Sequence, residues 1–290
     1  LGVSSTFIFL FILFGAYLEK TGMGKLFIDL ANALAGWASG GPAKVAVLSS
    51  ALMGTVSGSS VANVAGTGSF TIPMMKSLGY SPEFAGAVEA AASTGGQLMP
   101  PIMGAAAFLM AEFTGVPYIE VVKAAVIPAV LYYIGIWTGV HLEARRLGLK
   151  GIPREQLPKV GPLLLERGHL VLPLVGIVYL LVTGRTPMKA ALWAILLAIV
   201  ACMLRRSTRI TVKDMVDGLE QGARGALGVV IACATAGIII GVVTKTGLGL
   251  KMATALVDLA RGQLLPTLFF TMIASIILGM GVPTTANYVI

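Results

Sequence analysis

The sequence predicts an all-α integral membrane protein in which an inverted repeat carries re-entrant helical hairpins and broken transmembrane helices. Of the 290 residues, 56% are hydrophobic and only 12% are charged, whereas soluble domains carry about 25% charged residues. Several apolar runs reach the length of about 20 residues that a helix needs to cross a bilayer. Some of these runs contain clusters of Gly, Pro, Ser and Thr, and irregular backbone at membrane depth must be enclosed by protein or line a wet cavity.

The order of the spans and the positions of the charges predict a topology. The predicted spans are Val3–Leu18, Val45–Met75 (a hairpin that enters and leaves on the cytoplasmic side), Phe84–Phe113, Tyr118–Val140, Leu170–Val182, Lys189–Leu204, Gly225–Val243 and Leu264–Ile290. The net charge of +8 lies between the spans, so topology explains it and no nucleic-acid partner is expected. The two basic loops that flank the pair of spans between Leu170 and Leu204 are both cytoplasmic by the positive-inside rule.

Two stretches of the chain resemble each other. YLEKTGMGKLFIDLANALA begins at Tyr17 and VVTKTGLGLKMATALVDLA begins at Val242; both contain Lys-Thr-Gly-x-Gly and become amphipathic, at residues 22–38 and 247–261. Each then reaches an apolar run that breaks at a polar tip, SGSSVAN in the first copy and GVPTTAN in the second. The charges let the first tip enter from the cytoplasm and the second from outside, so the repeat is inverted, as in many alternating-access transporters.

These features divide the chain into three parts. Residues 1–142 form the first inverted repeat, residues 143–224 hold the basic loop, two connecting spans and a second basic segment, and residues 225–290 begin the second repeat. Within the first repeat we expect a re-entrant hairpin at 43–76, a broken helix at 83–113 and a span at 117–141. The chain starts inside an apolar run and stops at GVPTTANYVI, so we expect a piece of a longer polypeptide with a truncated second repeat.

The polar tip of the first hairpin is the first candidate site. Gly58 permits a tight turn, and neutral oxygens come from Ser57, Ser59, Ser60 and Asn63. Such a tip can bind a hard cation such as Na⁺ through carbonyl and hydroxyl oxygens, while helix N-termini attract an anionic substrate. Close packing of small residues between helices is the alternative interpretation.

The next span contains a second polar break. Unwinding is predicted at Gly95–Pro101 because Pro removes a backbone donor and adjacent glycines weaken a helix; Pro100 lies in this break, and Thr94 and Gln97 favour a site over a simple kink. Glu89, six residues before Gly95, is a candidate for proton coupling because ionisable groups inside the membrane usually have a function. The alternative is that Glu89 reaches the cytoplasmic surface.

Catalytic and metal chemistry have little support in the sequence. Gly54-Thr-Val-Ser57-Gly58 fits a loose serine-protease pattern, but such chemistry needs a base within hydrogen-bond reach. His141 and His169 both fall at ends of spans, and their spacing to Cys202 and Cys233 suits no transition-metal site. The chain also lacks a P-loop, so we expect no cofactor.

The two tip motifs carry a family resemblance. GTVSGSSVANVAGTGSFTIPMMKSLGYSPEFAGAVEAAASTGGQLMPP, residues 54–101, resembles the first hairpin and broken helix of the large membrane subunit of TRAP (tripartite ATP-independent periplasmic) transporters. GMGVPTTANYVI, residues 279–290, is similar to the tip of that family's second hairpin. VANVAGTGSFTIP and GGQLMPPIMGAAAF look most like the fused-permease branch, in which the small and large membrane subunits form one polypeptide and a TAXI-type binding protein often serves them.

The resemblance implies an elevator-type secondary transporter of the prokaryotic inner membrane that receives its substrate from a periplasmic binding protein. It also implies Na⁺ sites formed by the hairpin tips and the unwound helices. Carried onto this chain, the implied residues are Ser57, Gly58, Ser59, Ser60 and Asn63 with Thr94 and Gly95, and by pseudo-symmetry Gly279, Gly281, Thr284, Thr285 and Asn287.

We therefore expect a non-enzymatic permease that imports small organic anions, above all carboxylates. Its partners would be a binding protein, a small membrane subunit or its fused equivalent, and the lipid bilayer. Na⁺ is the expected coupling ion, with H⁺ through Glu89 as the alternative. The rival functions are a binding-protein-independent Na⁺/carboxylate symporter, an intramembrane serine protease and a passive channel.

Overall fold

In the computed structural model, which describes residues 8–280 and 284–289, all regular secondary structure is helical, as the sequence predicts. The α-helices are α1 (Phe9–Lys20), α2 (Met23–Ala35), α3 (Gly41–Ser57), α4 (Ser60–Ser77), α5 (Pro82–Gly95), α6 (Ala105–Thr114), α7 (Tyr118–Arg146), α8 (Val160–Arg167), α9 (Leu172–Val182), α10 (Pro187–Met203), α11 (Val212–Thr246), α12 (Leu248–Leu259), α13 (Leu264–Gly279) and α14 (Thr284–Val289).

Two stretches of 29 residues each, Tyr118–Arg146 and Arg154–Val182, are long and apolar enough to cross a membrane, judged by length and composition over the described residues. Shorter apolar helices occur at Ala105–Thr114, Pro187–Met203 and Leu264–Ile277. Each of these segments overlaps a predicted span, but Arg154–Val182 begins well before the predicted start at Leu170. The orientation of each span across the bilayer stays a prediction.

The length of α11 is another difference from the predicted spans. The predicted span Gly225–Val243 is only part of this 35-residue helix, which starts at Val212. Thr211 and Asp214 explain the early start, because the Asp214 carboxylate accepts hydrogen bonds from the backbone N–H and the hydroxyl of Thr211, both at 2.7 Å. The Thr211 hydroxyl in turn accepts from the Asp214 N–H at 3.2 Å, so this reciprocal cap begins the helix before its apolar part.

The chain divides into two compact units, Thr6–Ala226 and a second that includes Leu227–Ile290. The first unit is built around α3, which is buried along most of its length and packs against α2, α4, α5 and α7. Its small side chains allow these helices to approach closely, as is common between membrane helices. This burial explains why polar residues on α3 face other helices.

Both Lys-Thr-Gly-x-Gly motifs form corners between two helices. Gly22 lies between α1 and α2 with φ of 83°, and Gly247 lies between α11 and α12 with φ of 66°, a conformation that glycine adopts without strain. In each copy the corner leads into a helix of 12 or 13 residues and then into an apolar helix of 16 or 17. The order of elements thus repeats.

The first amphipathic segment forms α2, whose buried residues recur at helical spacing: Met23, Leu26, Phe27, Ala31 and Ala35. Ala31 and Ala35 pack with Val45 of α3, so the apolar face of α2 covers the buried central helix.

Candidate functional site

The first candidate site lies where α3 turns into α4. Gly58 has φ of 56°, and Ser59 is extended and caps α4 by accepting a hydrogen bond from the Ala62 N–H at 3.3 Å. The carbonyl end of α3 therefore meets the amino end of α4 at this turn. The first carries partial negative charge and the second partial positive charge, so the turn can attract a cation and an anion at neighbouring places.

The predicted break in the next span is present between α5 and α6. α5 ends at Gly95 and α6 begins at Ala105, and residues 96–99 continue only as short turns. The segment closes with a hydrogen bond of 2.8 Å from the Gly104 N–H to the Gln97 carbonyl oxygen. Pro100 lies half-buried within it.

The turn and the break are in direct contact. Gln97 Nε2 donates a hydrogen bond of 2.9 Å to Ser60 Oγ, at the first residue of α4. Ser57, Gly58, Ser59 and Ser60 are all partly exposed, so their oxygens border the surface of this contact. The structure therefore brings the tip residues together with Gln97, as a single site would require.

Close backbone packing holds the same two segments together. A Cβ on Gly54 would lie 2.3 Å from the Gly96 Cα, and a Cβ on Gly58 would lie 2.1 Å from the Met103 carbonyl oxygen. Both distances are far below van der Waals contact, so only glycine fits at either position. The glycines of the first tip thus serve close approach as well as the turn.

Glu89 lies in a buried cluster of hydroxyl groups. Its side chain is completely inaccessible. Oε1 accepts hydrogen bonds from Ser50 at 3.1 Å, Thr67 at 2.5 Å and Ser93 at 3.0 Å, while Oε2 accepts from Thr71 at 2.5 Å. In the described residues no cationic side chain lies within ion-pair distance of Glu89. The expectation that Glu89 reaches the cytoplasmic surface is therefore wrong.

Asn63 connects this cluster to the hairpin tip. It is fully buried, three residues after Ser60 on α4. Its Nδ2 donates to the Ser50 carbonyl oxygen at 2.8 Å, and its own carbonyl oxygen accepts from the Thr67 hydroxyl at 2.8 Å. A Cβ on Gly96 would lie 2.9 Å from Asn63 Nδ2. Asn63 therefore touches both the Glu89 cluster and the start of the break.

Three tyrosines of α7 satisfy carbonyl groups around the break. Tyr132 donates to Ala91 O at 2.8 Å, Tyr133 donates to Ala92 O at 3.0 Å, and Tyr118 donates to the carbonyls of Pro101 and Ile102. These bonds are needed because a helix that ends leaves its last carbonyls without N–H partners. The Gly96 N–H, for example, bonds to Ser93 O and leaves Ala92 O for Tyr133. The tyrosines thus fix the position of the break.

Some of the predicted site residues lie elsewhere. Thr94 is exposed, and its hydroxyl donates to the Ala90 carbonyl oxygen at 2.8 Å, so the structure does not bring it to the contact between Ser60 and Gln97. Gly95 is buried, and a Cβ on it would lie 2.5 Å from the Tyr132 ring. Helical spacing could have located the residues that sequence reasoning missed, since Thr67 and Thr71, like Glu89 and Ser93, are four positions apart.

The second tip is described only in part. α13 ends at Gly279 and α14 begins at Thr284, which is exposed; Gly281 and the side chain of Thr285 lie outside the described residues. A Cβ on Gly279 would lie 2.9 Å from Asn287 Nδ2. Asn287 Oδ1 is buried and has no hydrogen-bond partner within the described part of the chain. Asn287 thus packs against Gly279 as Asn63 packs against Gly96.

The protease pattern at Ser57 lacks a base among the described residues. Ser57 Oγ donates to the Ser59 carbonyl oxygen at 3.4 Å. Both histidines have other partners, His141 Nδ1 with Lys44 Nζ at 3.1 Å and His169 Nε2 with Thr208 Oγ1 at 3.0 Å. The described residues also contain no cluster of three His, Cys, Asp or Glu side chains that could hold a metal ion.

Comparison with known proteins identifies a matching family. The family described as "Tripartite ATP-independent periplasmic transporter, DctM component" matches residues 2–290. The C4-dicarboxylate TRAP transporter large permease protein DctM of Pseudomonas aeruginosa is 35% identical over 147 residues, which cover 51% of this chain and 34% of that protein. The 2,3-diketo-L-gulonate TRAP transporter large permease protein YiaN of Escherichia coli is 28% identical over 146 residues, 50% of this chain and 33% of its own length.

A third relative carries the combined name DctMQ. The isethionate TRAP transporter permease protein DctMQ of Oleidesulfovibrio alaskensis is 26% identical over 146 residues, 50% of this chain and 23% of that protein. The chain thus spans about a third or less of the length of the three relatives. The family match nevertheless extends over almost every residue. The chain belongs to the DctM component family of tripartite ATP-independent periplasmic transporters, whose members are secondary transporters and not enzymes.

Proposed function

We propose that the chain is part of the membrane permease of a binding-protein-dependent, ion-gradient-driven transporter that imports small organic anions. The observation that carries the proposal is the hydrogen bond between Gln97 and Ser60, which joins the hairpin tip to the helix break. The relatives are named for a C4-dicarboxylate, isethionate and 2,3-diketo-L-gulonate, which are all small organic anions. We therefore propose an anion of this class, above all a carboxylate.

Na⁺ is the proposed coupling ion at the first tip. The hydroxyls of Ser57, Ser59 and Ser60 and the free carbonyls at the end of α3 are neutral oxygen ligands, which suit a hard cation. The amino end of α4 lies on the other side of Gly58 and would attract the anionic substrate. Cation and anion would then stabilise each other's binding, which is the energetic basis of coupling.

An elevator motion is the proposed means of exposing this site to both sides of the membrane. The hairpin α3–α4 and the broken helix α5–α6 share buried hydrogen bonds and the glycine contacts at Gly54 and Gly58. Such packing supports movement of these segments as one body. The second tip, with Gly279, Thr284 and Asn287, would form a pseudo-symmetric site of its own.

The proposed partners follow from the family and its members. A periplasmic binding protein would deliver the substrate, and a small membrane subunit would complete the permease. The name DctMQ of the relative from Oleidesulfovibrio alaskensis combines both components, so the small subunit of this permease would be either a separate chain or fused to it. The proposed location is the prokaryotic inner membrane.

Reconstitution tests the proposal. The full-length permease that contains this chain is placed in liposomes with its small subunit, and uptake of radiolabelled succinate and isethionate is measured with and without the binding protein and an inward Na⁺ gradient. We expect concentrative uptake of at least one anion only when both are present. Uptake without the binding protein would favour the symporter, and ion current without coupling would favour the channel; either result would overturn the proposal.

A further inference from the structure

We propose that Glu89 is a proton-binding site, and that its carboxyl group takes up one proton from the external side and releases it to the cytoplasm in each import cycle. The inference rests on the proposed transport function and adds H⁺ as a second coupling ion beside the Na⁺ proposed at the tip. No atom other than the proton is transferred: an O–H bond forms at Glu89 on one side of the membrane and breaks on the other.

The first observation is the way the carboxyl group is buried. Four hydroxyls from three helices surround it: Ser50 of α3, Thr67 and Thr71 of α4, and Ser93 of α5. All four are themselves fully or almost fully buried. A buried polar group needs such partners, but hydroxyls carry no charge. The net charge of this cluster therefore depends on the protonation of Glu89 alone.

Other titratable groups on the packed helices point to other partners. On α3, Lys44 lies 3.1 Å from His141 Nδ1 and over the Trp137 ring. Lys76 of α4 and Glu83 of α5 are exposed. On α7, Glu120 pairs with Lys123 and Glu143 with Arg146, while Arg145 is exposed. The hydroxyls of Tyr118, Tyr132 and Tyr133 donate to backbone carbonyl groups, and the neutral Tyr133 also lies near enough to interact electrostatically with Glu89. Within the described residues none of them forms an ion pair with Glu89. A fixed countercharge is therefore missing from the described surroundings of Glu89, so a mobile proton can be the group's neutralising partner.

The second observation is that the hydroxyl cluster can satisfy both protonation states. The Thr71 hydroxyl lies 2.5 Å from Glu89 Oε2 and 3.0 Å from the Thr67 carbonyl oxygen. When Glu89 is ionised, Thr71 donates its proton to Oε2. When Oε2 carries a proton, that proton is donated to Thr71 Oγ1, and Thr71 turns its own proton to the Thr67 carbonyl. Rotation of the Thr71 hydroxyl therefore lets the cluster satisfy the added proton on Glu89, so that every donor has an acceptor in both protonation states.

The third observation concerns the space around the carboxyl group. Thr67 donates to Oε1 and Thr71 donates to Oε2, so a metal ion bound to either oxygen would have to replace these hydrogen bonds. Gly68 closes another side, because a Cβ there would lie 3.1 Å from Glu89 Cγ. A proton fits this site without displacing any group, whereas Na⁺ would have to separate the hydroxyls from the carboxyl group.

The fourth observation is the connection to the tip. The Thr67 hydroxyl lies within hydrogen-bond distance of both Glu89 Oε1 and the Asn63 backbone carbonyl oxygen and shares its single proton between these two acceptors. Asn63 lies about one turn after Ser60. A change of hydrogen bonding at Glu89 therefore reaches the tip through Thr67 and Asn63. Loss of the negative charge also removes the repulsion that a buried carboxylate exerts on an anionic substrate, and it eases passage of the moving unit through hydrocarbon. Protonation of Glu89 would thus favour the inward movement of the substrate-loaded permease.

Infrared spectroscopy tests the site without any substrate. pH-difference spectra of the purified full-length permease are recorded between about pH 4 and about pH 9, the range over which exposed and buried glutamates titrate. We expect the C=O stretch of a buried carboxylic acid in the wild type, its loss in Glu89→Gln, and its retention in Glu83→Gln, an exposed acid on the same helix. Identical spectra for wild type and Glu89→Gln would overturn the proposal, whatever the outcome of the uptake experiments.

Transport measurements then test coupling. For an anion whose uptake requires the binding protein, a gradient of one pH unit across the membrane should add about a tenfold accumulation ratio for one coupled proton. Glu89→Gln should lose this increment, whereas Glu83→Gln, at an exposed position outside the hydroxyl cluster, should keep it.

The wild type alone provides a second measurement of coupling. We expect substrate entry to make the external medium more alkaline. If the wild-type permease imports substrate under a Na⁺ gradient without this proton movement, the proposed role of Glu89 is wrong and the proposed function still stands. If Glu89→Gln keeps the full pH-driven increment in accumulation, the proposed role of Glu89 is likewise wrong and the proposed function still stands. Absence of all binding-protein-dependent uptake would instead contradict the proposed function, and the infrared result would still decide whether Glu89 binds a proton.

Discussion

Gln97 Nε2 donates a hydrogen bond of 2.9 Å to Ser60 Oγ. This contact joins the unwound part of one helix to the first residue of another, although the two residues are 37 positions apart in the sequence. It places a side-chain amide beside the carbonyl end of α3 and the amino end of α4. The hairpin tip and the helix break therefore form one arrangement of neutral polar groups.

Removal of the amide at Gln97 should weaken binding of the coupling ion. Loss of a hydrogen bond costs about 0.5–1.5 kcal/mol of binding free energy. Gln97→Ala should therefore raise the Na⁺ concentration for half-maximal uptake about three- to tenfold. Gln156→Ala, at an exposed position, is the matched control. Unchanged Na⁺ dependence in a Gln97→Ala permease that still transports would count against a site at the break.

Substitution of Gly54 should destabilise the packing between α3 and the break. A Cβ there would lie 2.3 Å from the Gly96 Cα, and overpacking of this kind costs about 1–3 kcal/mol. Gly86→Ala is the control, because no atom lies within 4 Å of a Cβ at that position, and this helical replacement should stabilise by about 0.5–1 kcal/mol. Thermal unfolding in detergent measures both changes, and equal midpoints for the two variants would contradict the observed contact.

Removal of the Tyr133 hydroxyl should loosen the end of α5. Tyr133→Phe leaves the Ala92 carbonyl without its 3.0 Å donor, and an unsatisfied buried acceptor costs about 1–3 kcal/mol. Tyr179→Phe removes a hydroxyl from a side chain that is 66% exposed and should change stability little. A Tyr133→Phe permease that unfolds at the wild-type temperature would show that this bond does not hold the break.

The start of α11 should make stability depend on pH. The hydrogen bonds from Thr211 lower the pKa of Asp214 below its ordinary value of 3.8, so folding favours the ionised carboxylate. Its contribution is therefore fully present above the pKa of the unfolded chain and disappears as the pH falls through the lower pKa of the folded state. The difference in stability between wild type and Asp214→Asn should be largest near neutral pH and vanish in acid. A stability difference between wild type and Asp214→Asn that stays the same from neutral to acid pH would contradict this role of the cap.

The elements that depend on local sequence were predictable. Composition indicates helices, Gly58 with its flanking serines indicates the turn between α3 and α4, and Gly95 with Pro100 indicates the break. These features follow from backbone conformation and from the missing donors of proline. The repeated corners at Gly22 and Gly247 belong to the same class.

The surroundings of Glu89 depend instead on how three helices are rotated against each other. The sequence alone cannot give that rotation, so it left open whether Glu89 is buried or reaches the surface. It also favoured Thr94, whereas the adjacent Ser93 faces the buried carboxyl group at 3.0 Å and Thr94 is exposed. One residue on a helix turns the side chain by about 100°, which explains this difference.

The central claim is that the first hairpin tip binds the coupling ion, and the most direct test is the Na⁺ dependence of binding-protein-dependent uptake in two serine variants of α4. Ser60 bonds to Gln97 at the tip, whereas Ser69 on the same helix is exposed. We predict that Ser60→Ala raises the Na⁺ concentration for half-maximal uptake by about tenfold, as loss of a hydroxyl that contacts a charged group would, and that Ser69→Ala leaves it unchanged. The same Na⁺ dependence in wild type, Ser60→Ala and Ser69→Ala would contradict the claim.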